Sequence, residues 1–292
     1  MTATSAIDLV NLRPLLEMTE GLATVSIGLI DGPVQMDHPS LRHLRSRLNK
    51  LSTATCVTKS GYSCQHGTYI AGILFSERTS ETPGLCPGCT PVFHQLFAET
   101  NSNERALPSA SPQQLADAIH QCLDRGVAVI NISAASFANR GEDDSNLEHA
   151  LSRAASEGTL VVVAAGNQGS VGSTTITRHP WPIPVVAFNS AGLPLGYSNI
   201  GLSIGQRGLG APGDAIRGLD SRGGTLTSGG TSAAAPFVTA IIALLWSVFP
   251  GLSPLQLRAA IGCMPRAFGR VGIVPPLVNA SVAYARAQSL SK

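Results

Sequence analysis

The chain has 292 residues, 43% of them hydrophobic and 13% charged, with a formal net charge of +2. That length and apolar content supply a large buried core and exclude a mainly disordered chain. The near-neutral balance excludes the concentrated basic surface of a nucleic-acid-binding protein, and the one basic cluster, Arg42, Arg45, Arg47 and Lys50, reads as a solvated face.

Residues 1–20 read as an N-terminal arm, with Leu9, Leu12, Leu15 and Leu16 on a rough helical face. They carry Asp8, Glu17 and Glu20, and no basic stretch leads into an apolar run. No signal peptide is therefore expected, and the expected location is the cytoplasm. Residues 23–30 form an apolar run of strand character that ends at the turn Asp31-Gly32-Pro33. Residues 34–65 are irregular and polar. A helix is then expected to begin at His66, where the small residues Gly67, Ala71 and Gly72 permit close packing.

A strand is expected at 92–97. Ser111-Pro112-Gln113-Gln114 is a capping box with proline at the first helical position, and Gly126 closes that helix. Residues 127–132 form the next buried strand. Ser145-Asn146-Leu147-Glu148 reads as a second capping box, with Gly158 as its helix stop. Apolar strands follow at 160–165 and 185–188. Residues 192–230 read as glycine-rich loops. The run Ala233 to Phe249 is short for a bilayer span and contains Pro236, Thr239 and Ser247, so it reads as a buried core helix and no membrane contact is expected. Helix starts at Ser253-Pro254 and a helix over 279–288 complete the chain. Alternating helices and near-continuously apolar strands indicate an α/β fold, a doubly wound and mainly parallel sheet flanked by helices in three layers, in one domain over 1–292.

Six cysteines are present: Cys56, Cys64, Cys86, Cys89, Cys122 and Cys263. Cys86-Pro87-Gly88-Cys89 with Cys56 and Cys64 could supply four thiolates to zinc, but the irregular spacing favours reduced structural thiols or one local disulfide.

Four polar residues fall at strand ends or helix starts: Asp31, His66, Asn167 and Ser232. In the order Asp, His, Ser they form the set that acyl transfer by a serine requires. A serine hydroxyl is a weak nucleophile and needs a base. A histidine serves as that base, and a carboxylate fixes its tautomer. An amide side chain can donate to the developing oxyanion. Gly229-Gly230 before Thr231-Ser232 allows the sharp entry that places the serine at a helix start. His38, His120 and His149 compete poorly as bases, Asp37 lies beyond the strand end, and Ser221 and Ser228 lack a following helix.

Ile30-Asp31-Gly32-Pro33 with His38-Pro39, then His66-Gly67-Thr68, Ala164-Ala165-Gly166-Asn167 and Gly230-Thr231-Ser232-Ala233-Ala234-Ala235-Pro236 resemble the signatures of the subtilisin-like serine proteases, in family order. The resemblance implies Asp31 as the triad acid, His66 as the base, Ser232 as the nucleophile and Asn167 as the oxyanion donor. It further implies that Ser133, Ala134 and Ala135 pair with an extended peptide or protein substrate, and that Ala164, Ala165 and Gly166 wall the first specificity pocket. Ala135 stands where relatives often have glycine, and Gly229 and Ala233 replace a frequent serine and methionine. A cis peptide at His179-Pro180 is a further expectation. No cofactor is implied. A structural calcium is common in the family but has no assignable ligands here.

With the aspartate block this early, no long propeptide is expected before it, as in compact proteases of ribosomal-peptide maturation such as the cyanobactin type. The 35-residue interval from Asp31 to His66 leaves little room for the helical insertion of macrocyclising relatives. Hydrolysis, in the processing of a precursor peptide, is therefore expected over cyclisation or non-catalytic peptide binding.

Overall fold

The computed structural model describes residues 5–48, 56–97, 110–133, 144–262 and 272–292. The N-terminal arm holds two short helices, α1 (Ala6–Leu9) and α2 (Arg13–Met18). Strand β1 (Ser26–Asp31) follows, then helix α3 (Tyr62–Phe75), β2 (Thr90–Gln95), α4 (Pro112–Leu123), β3 (Val129–Ile132), α5 (Ser145–Glu157), β4 (Leu160–Ala164), α6 (Thr175–Arg178), β5 (Ile183–Phe188), α7 (Leu202–Arg207) and β6 (Leu209–Pro212). A hairpin of β7 (Ile216–Leu219) and β8 (Thr225–Ser228) leads into α8 (Thr231–Val248), α9 (Pro254–Gly262) and α10 (Ala280–Leu290).

Six strands form one parallel sheet in the order β2-β1-β3-β4-β5-β6. Strands β1, β3, β4 and β5 are buried along nearly their whole length, which is why they read as continuous apolar runs rather than alternating ones. Helices α3 and α8 pack together on one face, and α4 and α5 pack together on the other. The chain leaves β1 toward one edge and β3 toward the other. The carboxyl ends of β1 and β3 therefore flank a topological switch point, where open α/β sheets form their crevice.

α8 is the central buried element. It contacts β3, β4, β5 and β6 and is buried over most of its length. By length and composition it is the one helix among the described residues apolar enough to cross a membrane, and 83% of that stretch is buried inside the protein. Burying a large aliphatic side chain is worth about 1.5–3 kcal/mol, so Ile241, Ile242, Leu244 and Leu245, all fully buried, secure α8 against the sheet.

Several local expectations shift. α3 begins at Tyr62, one turn before His66, with Gly61 as its cap. A disulfide between Cys56 and Cys64 ties the preceding loop to that extra turn. The capping box at Ser111 and Gln114 forms in both directions. The one expected at Ser145 does not: the helix takes Asp144 as its cap residue, and the Asp144 carboxylate instead accepts from the Thr175 hydroxyl. The stretch read as glycine-rich loops contains the sixth strand, β6. Its sequence, Leu-Gly-Ala-Pro, has no β-branched residue, and Gly210 provides the space occupied by the Phe188 ring.

The expected cis bond at His179-Pro180 is not found: that peptide is trans. His179 lies at φ −56° and ψ 137°, the extended conformation a residue before trans proline prefers. The turn is closed without a cis bond. Trp181 N–H donates to His179 Nδ1 (3.2 Å), the indole Nε1 donates to Thr159 O (2.7 Å), and the Arg258 guanidinium donates to the carbonyls of Pro180 and Trp181.

Candidate active site

The site assembles at the carboxyl ends of β1, β3 and β4. Asp31 is the last residue of β1 and is fully buried. Its Oδ1 accepts from Gly32 N–H (2.6 Å) and from His66 Nδ1 (2.7 Å), while Oδ2 is buried with no hydrogen-bond partner among the described residues. A buried carboxylate that accepts at Oδ1 fixes the proton of His66 on Nδ1 and presents Nε2 as the free, basic nitrogen. The His66 side chain is 13% exposed, enough to meet a substrate at that edge. The Tyr62 ring stacks against it at 6.5 Å between centroids.

Glycine makes this approach possible. A Cβ on Gly67 would lie 2.4 Å from Gly32 O and 2.5 Å from Pro33 O. A Cβ on Gly32 would lie 2.0 Å from Ser63 O. The turn of α3 that carries His66 thus rests on the backbone that leaves β1.

Ser232 enters from α8. Gly230 precedes it at φ 106°, a left-handed conformation natural only to glycine, and a Cβ there would also strike the Asn167 side-chain nitrogen at 2.9 Å. Asn167 Oδ1 accepts from Thr231 N–H (2.9 Å) and from the Thr231 hydroxyl (3.1 Å), and Gly166 N–H donates to that same hydroxyl (3.1 Å). With Oδ1 committed, the amide nitrogen of Asn167 is the atom left to face a substrate. In the first turn of α8, the Ala233 and Ala234 N–H groups donate to Gly230 O. The Ser232 N–H has no acceptor among the described residues, as expected of an amide at a helix N-terminus. Helices α3 and α8 pack on each other, but no hydrogen bond joins His66 Nε2 to Ser232 Oγ among the described residues. Such contacts are often long without substrate.

Ser133, expected on the substrate edge, is fully buried, and its hydroxyl accepts from Asn131 Nδ2 (2.6 Å). Asn131 Oδ1 in turn accepts from Thr239 of α8 (2.8 Å), so the end of β3 is joined to the helix that carries Ser232. Ala134 and Ala135 lie outside the described residues. Ala164, Ala165 and Gly166 are buried and lead directly into Asn167. His38 is structural: Nδ1 accepts from Ser40 N–H (3.2 Å) and Nε2 donates to Gly224 O (3.0 Å).

Cys86, Cys89 and Cys122 are free and buried, and burial pushes the Cys122 thiol up to about 12. No group of three or more His, Cys, Asp or Glu side chains is arranged to hold a metal ion among the described residues, and the disulfide removes Cys56 and Cys64 from the four-thiolate arrangement. Asn199 is the site residue the sequence did not mark, and Thr231 lay in a marked block without a role of its own. Thr231 adjoins a recognised position. Asn199 has no sequence signal, because it acts on residues some thirty positions away.

A buried Asp–His pair at a switch-point crevice, facing a glycine elbow at a helix start, defines the subtilisin class of α/β architecture. Residues 23–262 match the subtilase family, peptidase S8, and the chain belongs to that family. It is 27% identical over 242 residues to Subtilisin NAT of Bacillus subtilis subsp. natto, covering 81% of this chain and 59% of that protein, so it spans about three fifths of that relative. Among solved structures it superposes on a variant of the protease domain of PatA with a TM-score of 0.80 at 30% identity, covering 92% of this chain and 97% of that one. The prenylagaramide maturation protease PagA also gives a TM-score of 0.80, at 27% identity, with 94% and 97% covered.

Proposed function

We propose that the chain is a serine endopeptidase working through Asp31, His66 and Ser232, with Asn167 as oxyanion donor. The observation that carries the reading is the 2.7 Å bond between buried Asp31 and His66 Nδ1, set against an elbow that exposes Ser232 at the start of α8. Ser232 Oγ attacks the scissile carbonyl carbon as His66 Nε2 takes its proton. The carbonyl oxygen becomes an oxyanion and meets the Asn167 amide nitrogen and the Ser232 N–H. The tetrahedral adduct collapses, the C–N bond breaks, and His66 returns its proton to the leaving amine. Water, deprotonated by His66, then hydrolyses the acyl-serine.

The substrate is an extended peptide bound by Ser133, Ala134 and Ala135, which follow β3 in the chain, and by Ala164, Ala165 and Gly166, where β4 ends. It pairs there by main-chain hydrogen bonds, with side-chain pockets setting preference. The likeness to PatA and PagA over nearly the full length of both chains favours a precursor peptide as that substrate and maturation as the role.

Ser232→Ala tests the reading. Wild-type protein is expected to react with a fluorophosphonate probe and to cleave members of a peptide library. The variant should lose labelling and retain at most about 10⁻⁴ of the cleavage rate. Labelling or cleavage of Ser232→Ala at the wild-type rate refutes it.

A further inference from the structure

The segment that carries Asn167 is held by a residue on a different loop. Residues 166–172 run beside residues 197–200 in a short ladder. Asn199 N–H donates to Gly166 O (2.8 Å), Gly169 N–H to Tyr197 O (2.7 Å), Ile200 N–H to Ser170 O (3.0 Å) and Gly172 N–H to Ile200 O (2.8 Å). Between Gly166 and Gly169 the ladder makes no rung, and Asn167 is exposed there. The Gln168 and Ser170 amides have no main-chain acceptor among the described residues, and the Asn199 side chain supplies one. Its Oδ1 accepts from Gln168 N–H (3.0 Å) and from Ser170 N–H (3.1 Å), and its Nδ2 donates to Gln168 Oε1 (2.6 Å).

Asn199 is only 9% exposed, and its backbone N–H, Oδ1 and Nδ2 all bond to the turn around Asn167. Gly166 sits at φ 105°, and a Cβ there would lie 2.3 Å from Asn199 Nδ2, so the glycine and the asparagine fit as a matched pair. The bonds fall on residues 166, 168 and 170 and bracket residue 167 on both sides.

We propose that Asn199 is the positioning residue of the oxyanion donor: it sets the backbone direction from which Asn167 presents its amide nitrogen, while Thr231 fixes the other end of that amide. This rests on the reading of Asn167 as oxyanion donor. The division of labour is physical. Thr231 holds the Asn167 side-chain oxygen but cannot fix the peptide planes on either side. A preorganised donor must be fixed at both ends to stabilise charge without reorganising as that charge develops. Asn199 is nearly buried and its side chain is taken up by the turn, so it acts on the rate of bond formation and not on binding.

The test follows phosphonylation of Ser232 by a fluorophosphonate, in which the Oγ–P bond forms, fluoride leaves and the phosphoryl oxygen occupies the oxyanion position. For Asn199→Ala the saturating rate should fall about 10-fold, less than the ~10²–10³ that loss of a whole donor costs, with the half-saturating probe concentration unchanged within about twofold. In a double-mutant cycle, Asn199→Ala added to Asn167→Ala should cost no further rate. Gln168→Ala removes one of the bonds at an exposed position and should give a smaller loss of the same kind, which serves if Asn199→Ala does not fold. A weaker half-saturation with an unchanged saturating rate overturns the proposal, as do losses that multiply in the double variant. A wild-type rate in Asn167→Ala refutes the oxyanion reading and this inference together. A slow Asn167→Ala beside fully active Asn199→Ala and Gln168→Ala refutes the inference alone.

Discussion

Gly67→Ala opposes two effects whose sizes differ enough to predict the winner. Gly67 lies inside α3, where alanine is normally preferred over glycine by about 0.5–1 kcal/mol. Its φ is not in the left-handed region, so propensity alone predicts stabilisation. The contact geometry predicts the reverse. The new Cβ would sit 2.4 Å from Gly32 O, and ordinary contact begins at 3.4 Å, so α3 and the end of β1 must part by about 1 Å. Neither neighbour is a flexible side chain that could turn aside. Forced overpacking of this kind costs about 1–3 kcal/mol, so a net loss of stability is expected.

The same separation stretches the 2.7 Å bond between Asp31 Oδ1 and His66 Nδ1 to about 3.7 Å, past hydrogen-bond reach. A displacement of that size at a reacting group costs roughly 10²-fold in rate. The assay pairs thermal denaturation with the fluorophosphonate labelling rate at a temperature where both proteins are folded. A variant that is more stable and labels at the wild-type rate would show that the backbone contact of Gly67 does not set the position of His66.

Two further outcomes follow from charge and covalent structure. Burial holds His43, His94 and His179 below the ordinary histidine range, so the unfolded chain takes up more protons than the folded one as acid is added. Stability should therefore be full above the unfolded value of about 6.5 and decline as pH falls through it. Denaturation midpoints between pH 8 and 5 should show this, with a shallower slope for His94→Gln, and a midpoint that rises over that interval would contradict it. The Cys56–Cys64 bridge closes a loop of sequence separation 8. Chain entropy assigns such a closure about 2.5 kcal/mol, so dithiothreitol should lower the melting temperature of the wild type and leave Cys56→Ser unaffected. An equal shift in both would place the effect elsewhere.

Much of the site was legible in the chain. Asp31 and Asn167 close or follow buried apolar strands, and Ser232 opens an apolar helix, so each was marked by the boundary of a periodic pattern. The glycines at 67 and 230 were marked by type, although their reasons differ. Gly230 is needed for its left-handed backbone, and Gly67 for the absence of a side chain. Where the reading failed, a local rule met a tertiary competitor. Asp144 took the cap position at α5 while its carboxylate turned to Thr175. β6 carried no strand-favouring residue, and only its place beside β5 makes it a strand. Pro180 is trans, with Arg258 and Trp181 closing the turn around it.

The sequence by itself determined the fold class and the family, because apolar period and block order are properties of neighbouring residues and of their succession. Tertiary structure decided what depends on approach across space: the pairing of Cys56 with Cys64, the seating of α3 on the exit of β1, and the hold of Asn199 on the turn around Asn167. Partners 31 positions apart leave no pattern along the chain, since a hydrogen bond depends on where two atoms finally lie and not on their order in the sequence.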